Sequence, residues 1–448
     1  FFINMITRDI ALKMAILDLV DNSIDSAYQK SDTTNLNDLY IKISCCEDKF
    51  VIEDNCSGFD IETAKNYVFR FGSNNKTEQQ KSSIGQFGIG LKRTIFKMGN
   101  LFKVESKTND SSLIVEDNIN DWSTRTRVIT INGEDKTEDD WHFKLSENHD
   151  VDMNSTGTRI TISDLHQNIK NSFLNTVFIS KLISEIEIAH MVSLNNGIKI
   201  EIEFFNEEKQ EVVIEKLKPV ELSLINNEKI KPLHKSFNIE LSSGEEVKVH
   251  MYLGVINREF NTSGVYIFCN NRTILHANKD SLMWNRDVMG KNWHHNYALF
   301  CAYIFLESED TSLLPWTTTK EGVDQDSETF QKLAALLNLI SKPILDFLRK
   351  GAHERDKKSK KEYLNMPIYS VIESSEEVLF TECIEEQEFY EDIEEASLNN
   401  DFDNPKRIQY DKPKSEIDKL KKIFKVENNY EVGIETFKRV YDKLVLGK

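Results

Sequence analysis

The chain has 448 residues, enough for two or three domains with cores of their own, and 39% hydrophobic against 29% charged residues is the composition of an ordinary globular protein. A formal net charge of −18 argues against nucleic-acid binding by the surface as a whole, and no apolar run reaches the length that spans a bilayer. Six cysteines, at 45, 46, 56, 269, 301 and 383, show no CxxC spacing, which argues against structural zinc or a disulfide framework and suits a reducing cytoplasm.

Residues 8–30 have the pattern of a helix. Ile10, Leu17, Val20, Ile24 and Ala27 share one face, and Asp18, Asp21, Asn22 and Asp25 gather on the other at spacings of three, four and seven. Like charges so placed repel, and no Lys or Arg lies between Lys13 and Lys30 to relieve them. The face is either a solvated surface or a set of oxygen ligands suited to Mg²⁺. Residues 39–54 read as a hairpin turning at Glu47–Lys49, and a second helix fits 60–71. The polar run 73–83 has no apolar anchor and reads as a mobile loop, followed by a glycine-rich stretch and a helix near 90–98. Strands fit 101–106, 112–116, 126–131, 141–145 and 158–163, so the first 190 residues form an α+β pattern.

A helical run over 171–193 leads to a second strand-rich block at 198–205, 211–216, 246–256 and 264–269, with helices expected at 292–306 and 328–350. The remainder changes character. Residues 349–361 are basic, whereas 371–403 hold thirteen acids and no Lys or Arg, the composition of an exposed or partly disordered linker. Residues 414–446 have helical patterning and read as a small docking unit.

Three short stretches carry chemistry. IGQFGIGLKR (84–93) holds Gly85, Gly88 and Gly90 ahead of a helix. The polar run before it excludes a dinucleotide fingerprint, and no GK[ST] closes a Walker A loop. It is either a flexible turn or a place where backbone N–H groups, a helix N-terminus, Lys92 and Arg93 meet an anion. VIEDNCSGFD (51–60) runs a strand into Asp54 and a turn at Gly58: an Asx turn, or a carboxylate placed to accept from an adenine amino group. STGTRITI (155–162) is a turn followed by an alternating strand.

In this order and spacing, the stretches together resemble the GHKL ATPase superfamily, which includes gyrase B-type subunits, heat-shock chaperones, histidine-kinase catalytic domains, MutL proteins and MORC ATPases. DLVDNSIDSA resembles its N box, EDNCSGF its DxGxG box with Cys56 in place of the first glycine, GQFGIGLK its lid and TGT its last box. The likeness covers roughly residues 1–165 and implies a Bergerat ATP-binding fold, with helices on one face of a mixed sheet. GVYIFCNNRTIL (264–275) and LPWTTTKEGVD (314–324) resemble the second domain of MutL and MORC proteins, most closely MORC-like bacterial ATPases, and extend the likeness to about residue 340.

The resemblance implies three parts: a GHKL ATP-binding domain at 1–195, a ribosomal-S5-like α/β transducer at 196–340, and a charged, mainly helical region at 341–448. It implies ATP and Mg²⁺ as ligands. Asn22 would bind the metal; Asp18 would be the general base where the family has a Glu; Asp54, with Gly58 and Thr158 beside it, would hold adenine. Gly85, Gly88, Gly90, Leu91 and Lys92 would wrap the phosphates, and Lys320 would reach the γ-phosphate from the second domain. Arg272 is expected to brace that second domain rather than touch nucleotide.

The function so implied is a slow ATPase whose ATP-bound state closes a homodimeric clamp, with DNA handling or bacteriophage defence as its output. The competing expectation is an ATP-binding module that hydrolyses negligibly and recruits a protein partner. A chaperone role fits less well, because no large client-binding domain is evident. DNA is a candidate partner, and no membrane is expected.

Overall fold

A computed structural model of the chain describes residues 2–31, 34–70, 90–131, 134–147, 151–206, 209–257, 262–317, 319–320, 322–384, 386–400 and 407–447. Gly85 and Gly88, and the loop expected over 73–83, lie outside these residues.

The first sheet has eight strands in the order Glu211–Lys216, Lys199–Asn206, Tyr40–Cys45, Lys49–Asp54, Gly157–Leu165, Gly99–Lys107, Ser112–Asn118 and Leu145–Glu147. Tyr40–Cys45 and Lys49–Asp54 form the expected hairpin, pairing Ile43 with Ile52. Alternate residues point one way: Ile41, Ile43 and Cys45 on the first strand and Phe50, Ile52 and Asp54 on the second are buried. Tyr40–Cys45 also runs parallel to Lys199–Asn206, which makes the sheet mixed. Helices Leu12–Lys30, Gly90–Met98, Gln167–Leu174 and Thr176–Ala189 share its core, with Phe50 stacked on Phe173 at 6.0 Å between ring centroids. Leu17, Val20, Ile24 and Ala27 of the first of these helices are buried, as is Ile10 just before it. Each large apolar side chain so buried contributes roughly 1.5–3 kcal/mol.

Three details differ from the pattern expected. The first sheet runs on to Lys216, past the boundary drawn at 195, because Ile200, Ile202 and Phe204 alternate inward and complete the hairpin's face. The expected strand 141–145 is not a strand over most of its length; the Phe143 ring stacks on Trp122 at 5.1 Å, and the ladder forms only at Leu145–Glu147. Helix 60–71 is shorter: capped by Asp60, it ends at Val68 and passes into a π turn over Ala64–Val68.

The second sheet orders its strands Leu233–Glu240, Glu246–Val255, Phe300–Glu307, Gly264–Cys269 and Arg272–Asn278. Its central strand, Phe300–Glu307, takes up the second half of the segment expected to be the helix 292–306. All its residues but the last are buried, so the run lacks alternation, and periodicity cannot separate such a strand from a buried helix. Helix Glu328–Ser359 shares this core and takes in the basic run, where Lys350 pairs with Glu391.

The acidic segment after it is not a loose linker. Glu377–Leu379 pairs with Ser223–Ile225, and the Phe380 ring meets Tyr252 and Phe305 at 4.8 and 5.0 Å. A few apolar side chains anchor it while its carboxylates stay near water. The last block forms helices Lys414–Phe424 and Asn429–Leu444, the second with a capping box of Asn428 and Glu431. Among the described residues no helix is long and apolar enough to cross a membrane.

Candidate nucleotide site

One end of the site is built where three turns meet. Asp54 ends its strand 3% exposed. Its Oδ2 accepts from Ser23 Oγ at 2.7 Å, and its Oδ1 accepts from the backbone N–H groups of Cys56 and Thr158 at 3.0 and 3.1 Å. Burial raises this carboxyl above its ordinary value, against the pull of those hydrogen bonds. A carboxylate oxygen can accept twice, so Oδ2 keeps capacity for one more donor, such as an exocyclic amine.

Two glycines let the turns touch. A Cβ on Gly58, at φ +67°, would lie 2.3 Å from the Lys107 carbonyl oxygen, and one on Gly157 would lie 2.0 Å from that of Asp54. Lys30, at the end of the acidic helix, closes the corner by donating to Asn55 O and Thr156 Oγ1 at 2.5 and 2.8 Å. Cys56, at the position where the resembled box has glycine, is buried, and burial beside the Asp54 carboxylate pushes its thiol far up. It fills the place of the glycine with a small buried side chain whose thiol hydrogen-bonds the Asp54 carboxylate.

The other end lies along the acidic helix. Asn22 is exposed one turn after Asp18. Gly90 opens its helix directly against Asp18; a Cβ there would come within 3.3 Å of the carboxylate. Asp18 Oδ2 accepts from Arg93 Nη2 at 2.6 Å. Arg93 Nε is buried with no hydrogen-bond partner among the described residues. The two basic residues of GLKR therefore part ways. Lys92 is turned inward, 1% exposed, and donates to the carbonyls of Val68 and Arg70 at 2.8 and 2.9 Å. Burial pulls its ammonium down to about 8. Arg93, whose role the sequence left general, is the one that meets Asp18. Leu91 is buried in the core.

The second domain reaches this end through two cations. Lys320 Nζ stands 2.6 Å from Asp21 Oδ2 and 3.8 Å from Asp18 Oδ1. Arg272 Nε donates to Asp21 Oδ1 at 2.9 Å. Arg272 thus ties the second sheet to the acidic helix. It follows a tight turn in which Asn270 and Asn271 both have positive φ, the two-residue hairpin geometry that asparagine tolerates. Asp21 is 1% exposed, with His190 Nε2 3.1 Å away. Burial alone would raise the Asp21 carboxyl, but Arg272, Lys320 and the His190 ring outweigh it and hold the group far below the carboxylate range. Burial, aided by the same two cations, lowers His190 and keeps its ring neutral.

In the sequence Asp21 has no role beyond its place among the acids of one helix face, and His190 has none. The signal for Asp21 was its lack of any local cation; the partners come from residues 272 and 320.

Helices packed on a mixed sheet, with a buried carboxylate at a strand end and an asparagine-bearing acidic helix alongside, are the arrangement expected of a GHKL-type ATP-binding domain. Residues 10–158, a third of the chain, match the family described as histidine kinase-, DNA gyrase B-, and HSP90-like ATPase. Among curated proteins none matches the chain.

The residues present fit nucleotide and metal. Three cations, Arg93, Arg272 and Lys320, face two carboxylates, Asp18 and Asp21, which leaves positive charge to be met by an anion. Among the described residues no group of three or more His, Cys, Asp or Glu could hold a metal by itself. Asn22, exposed on the acidic helix, offers an amide oxygen of the hard kind that Mg²⁺ takes alongside phosphates and waters.

Proposed function

We propose that the chain is a slow, Mg²⁺-dependent ATPase whose ATP-bound state closes a homodimeric clamp. The observation that carries this reading is Lys320, a residue of the second domain, lying beside Asp18 of the first. A γ-phosphate at that place is contacted by both domains, while ADP is contacted by one. That difference is what a nucleotide needs in order to select one domain arrangement over another.

In this reading Asp54 accepts from the adenine amino group, with Gly58 and Thr158 shaping the pocket. Asn22 holds Mg²⁺, which supplies charge neutralisation at the phosphates. The phosphates fall to the glycine-rich segment that the resemblance assigns to them, Gly85 and Gly88 with Gly90 and Leu91, of which Gly90 opens its helix against Asp18. Asp18 orients the attacking water and takes its proton, and Lys320 stabilises charge on the transferred phosphoryl group. Lys92 acts from behind, holding the 68–70 backbone to the helix that follows the segment.

A second reading has its own support. Asp18 Oδ2 is engaged by Arg93 at 2.6 Å, so that oxygen is occupied by a guanidinium rather than open to a water. This favours a module that binds ATP, hydrolyses it negligibly and recruits a protein partner. Phosphate release from Mg·ATP, measured with and without DNA, separates the two. Slow turnover that stops when Mg²⁺ is chelated supports the ATPase, and stimulation by DNA supports DNA handling as its output. Tight binding with no release above background supports the module and sinks the ATPase.

A further inference from the structure

One carboxylate of the first domain serves both cations that the second domain sends across. Asp21 Oδ1 accepts from Arg272 Nε at 2.9 Å, and Asp21 Oδ2 accepts from Lys320 Nζ at 2.6 Å. All three side chains are buried, and the fully buried His190 ring stands against the same Oδ1. The carboxylate is gripped on both oxygens and cannot swing away from one partner without releasing the other. The groups that face it come from three separate segments: His190 at the end of helix Thr176–Ala189, Arg272 at the start of strand Arg272–Asn278, and Lys320.

Lys320 is held by its backbone as well. It sits at φ +57°, in the left-handed region, where its N–H donates to the Thr317 carbonyl. A non-glycine residue stays in that conformation only where its surroundings over-determine it, and such positions concentrate at functional sites. Its ammonium has three donors. The short bond to Asp21 fixes the direction of one, and Asp18 lies 3.8 Å off on the other side.

We propose that Asp21 is the positioning residue for Lys320: its carboxylate sets the ammonium beside Asp18 and, through Arg272, ties that position to the seating of the second domain on the first. The proposal rests on the ATP-site reading. It adds that discrimination between ATP and ADP depends on a residue that touches neither.

The test is the ratio of affinities for a non-hydrolysable ATP analogue and for ADP, both with Mg²⁺, measured by calorimetry on the full chain. Asp21→Asn keeps the shape and removes the charge. It should lower that ratio at least tenfold while ADP affinity stays within about threefold. Adding Asp21→Asn to Lys320→Ala should lower the ratio no further, because both changes remove the same placed cation. Because Asp21→Asn leaves Arg272 and Lys320 without their counter-ion, the pair Asp21→Asn with Arg272→Gln is measured as well. It keeps the net charge of the cluster, and its ratio should fall likewise. A parental or raised ratio in a folded Asp21 variant overturns the proposal, and so do losses that add with Lys320→Ala. A parent protein that binds neither nucleotide overturns the ATP-site reading itself, a result distinct from either.

Discussion

Lys320 and Asp21 form a buried ion pair at 2.6 Å across 299 residues of sequence. The pair joins the segment around Lys320 to the middle of the acidic helix, which is why Asp18 and Asp21 can sit three residues apart on one helix face without local relief. Asp18 has Arg93, Asp21 has Arg272 and Lys320, and only a tertiary fold supplies them. Removing one partner from such a buried pair commonly costs about 3–5 kcal/mol, because the other charge is left uncompensated.

Asp18 is predicted to be the general base. Asp18→Asn keeps the volume and removes the proton acceptor. It should bind Mg·ATP within about threefold of the parent and lose turnover by on the order of a hundredfold, within the usual contribution of general base catalysis. Asp18→Glu reaches one methylene further and should retain or raise turnover. Single-turnover phosphate release measures both, and parental hydrolysis by Asp18→Asn would place the base elsewhere.

Lys320→Ala is predicted to separate ATP from ADP. If the lysine meets only a third phosphate, as the ATP-site reading has it, ADP affinity should change little, while analogue affinity and turnover both fall. Equal losses for the two nucleotides would make Lys320 a structural residue, a partner of Asp21 and nothing more.

Much of the first domain was legible in the sequence because its signals are local. Alternation in the 40–54 hairpin, glycines where a Cβ would strike a backbone carbonyl, and the spacing of Asp18 and Asn22 all lie within short windows. What could not be read there depends on distance or on double burial. Strand Phe300–Glu307 is covered on both faces, so it carries no period. Lys92 and Arg93 are adjacent and both basic, and only the packing of their helix decides that one turns to the core and the other to Asp18. The anchoring of the acidic segment rests on Phe380 and a few backbone pairs, too few to outweigh its composition.

His190 gives a pH signature. Asp21, Arg272 and Lys320 face its ring, and its folded pKa is lowered by burial and by the two cations, against the pull of Asp21. The unfolded chain takes up a proton at this residue as pH falls below about 6.5, and the folded ring resists it, so stability should fall on acidification through that value. Asp21 does not confuse the window. Its pKa is lowered from a carboxylate value, so its contribution is lost only below about pH 4. Urea unfolding at pH 8, 7, 6 and 5 should show a steeper loss below pH 7 for the parent than for His190→Gln. Identical profiles would mean that the His190 pKa does not differ between the folded and unfolded chain.

The central claim is that the acidic helix and the Asp54 turn together bind Mg·ATP. The most direct measurement is calorimetric titration of a non-hydrolysable ATP analogue, with and without Mg²⁺, into the parent and into Asn22→Ala. Asn22 lies one helical turn from Asp18 with its side chain exposed, so its loss should not disturb the core. The account predicts saturable, Mg²⁺-dependent binding by the parent and loss of that dependence, with affinity down at least tenfold, in the variant. Undiminished Mg·nucleotide affinity in Asn22→Ala, in a variant that unfolds at the parental urea midpoint, would contradict it.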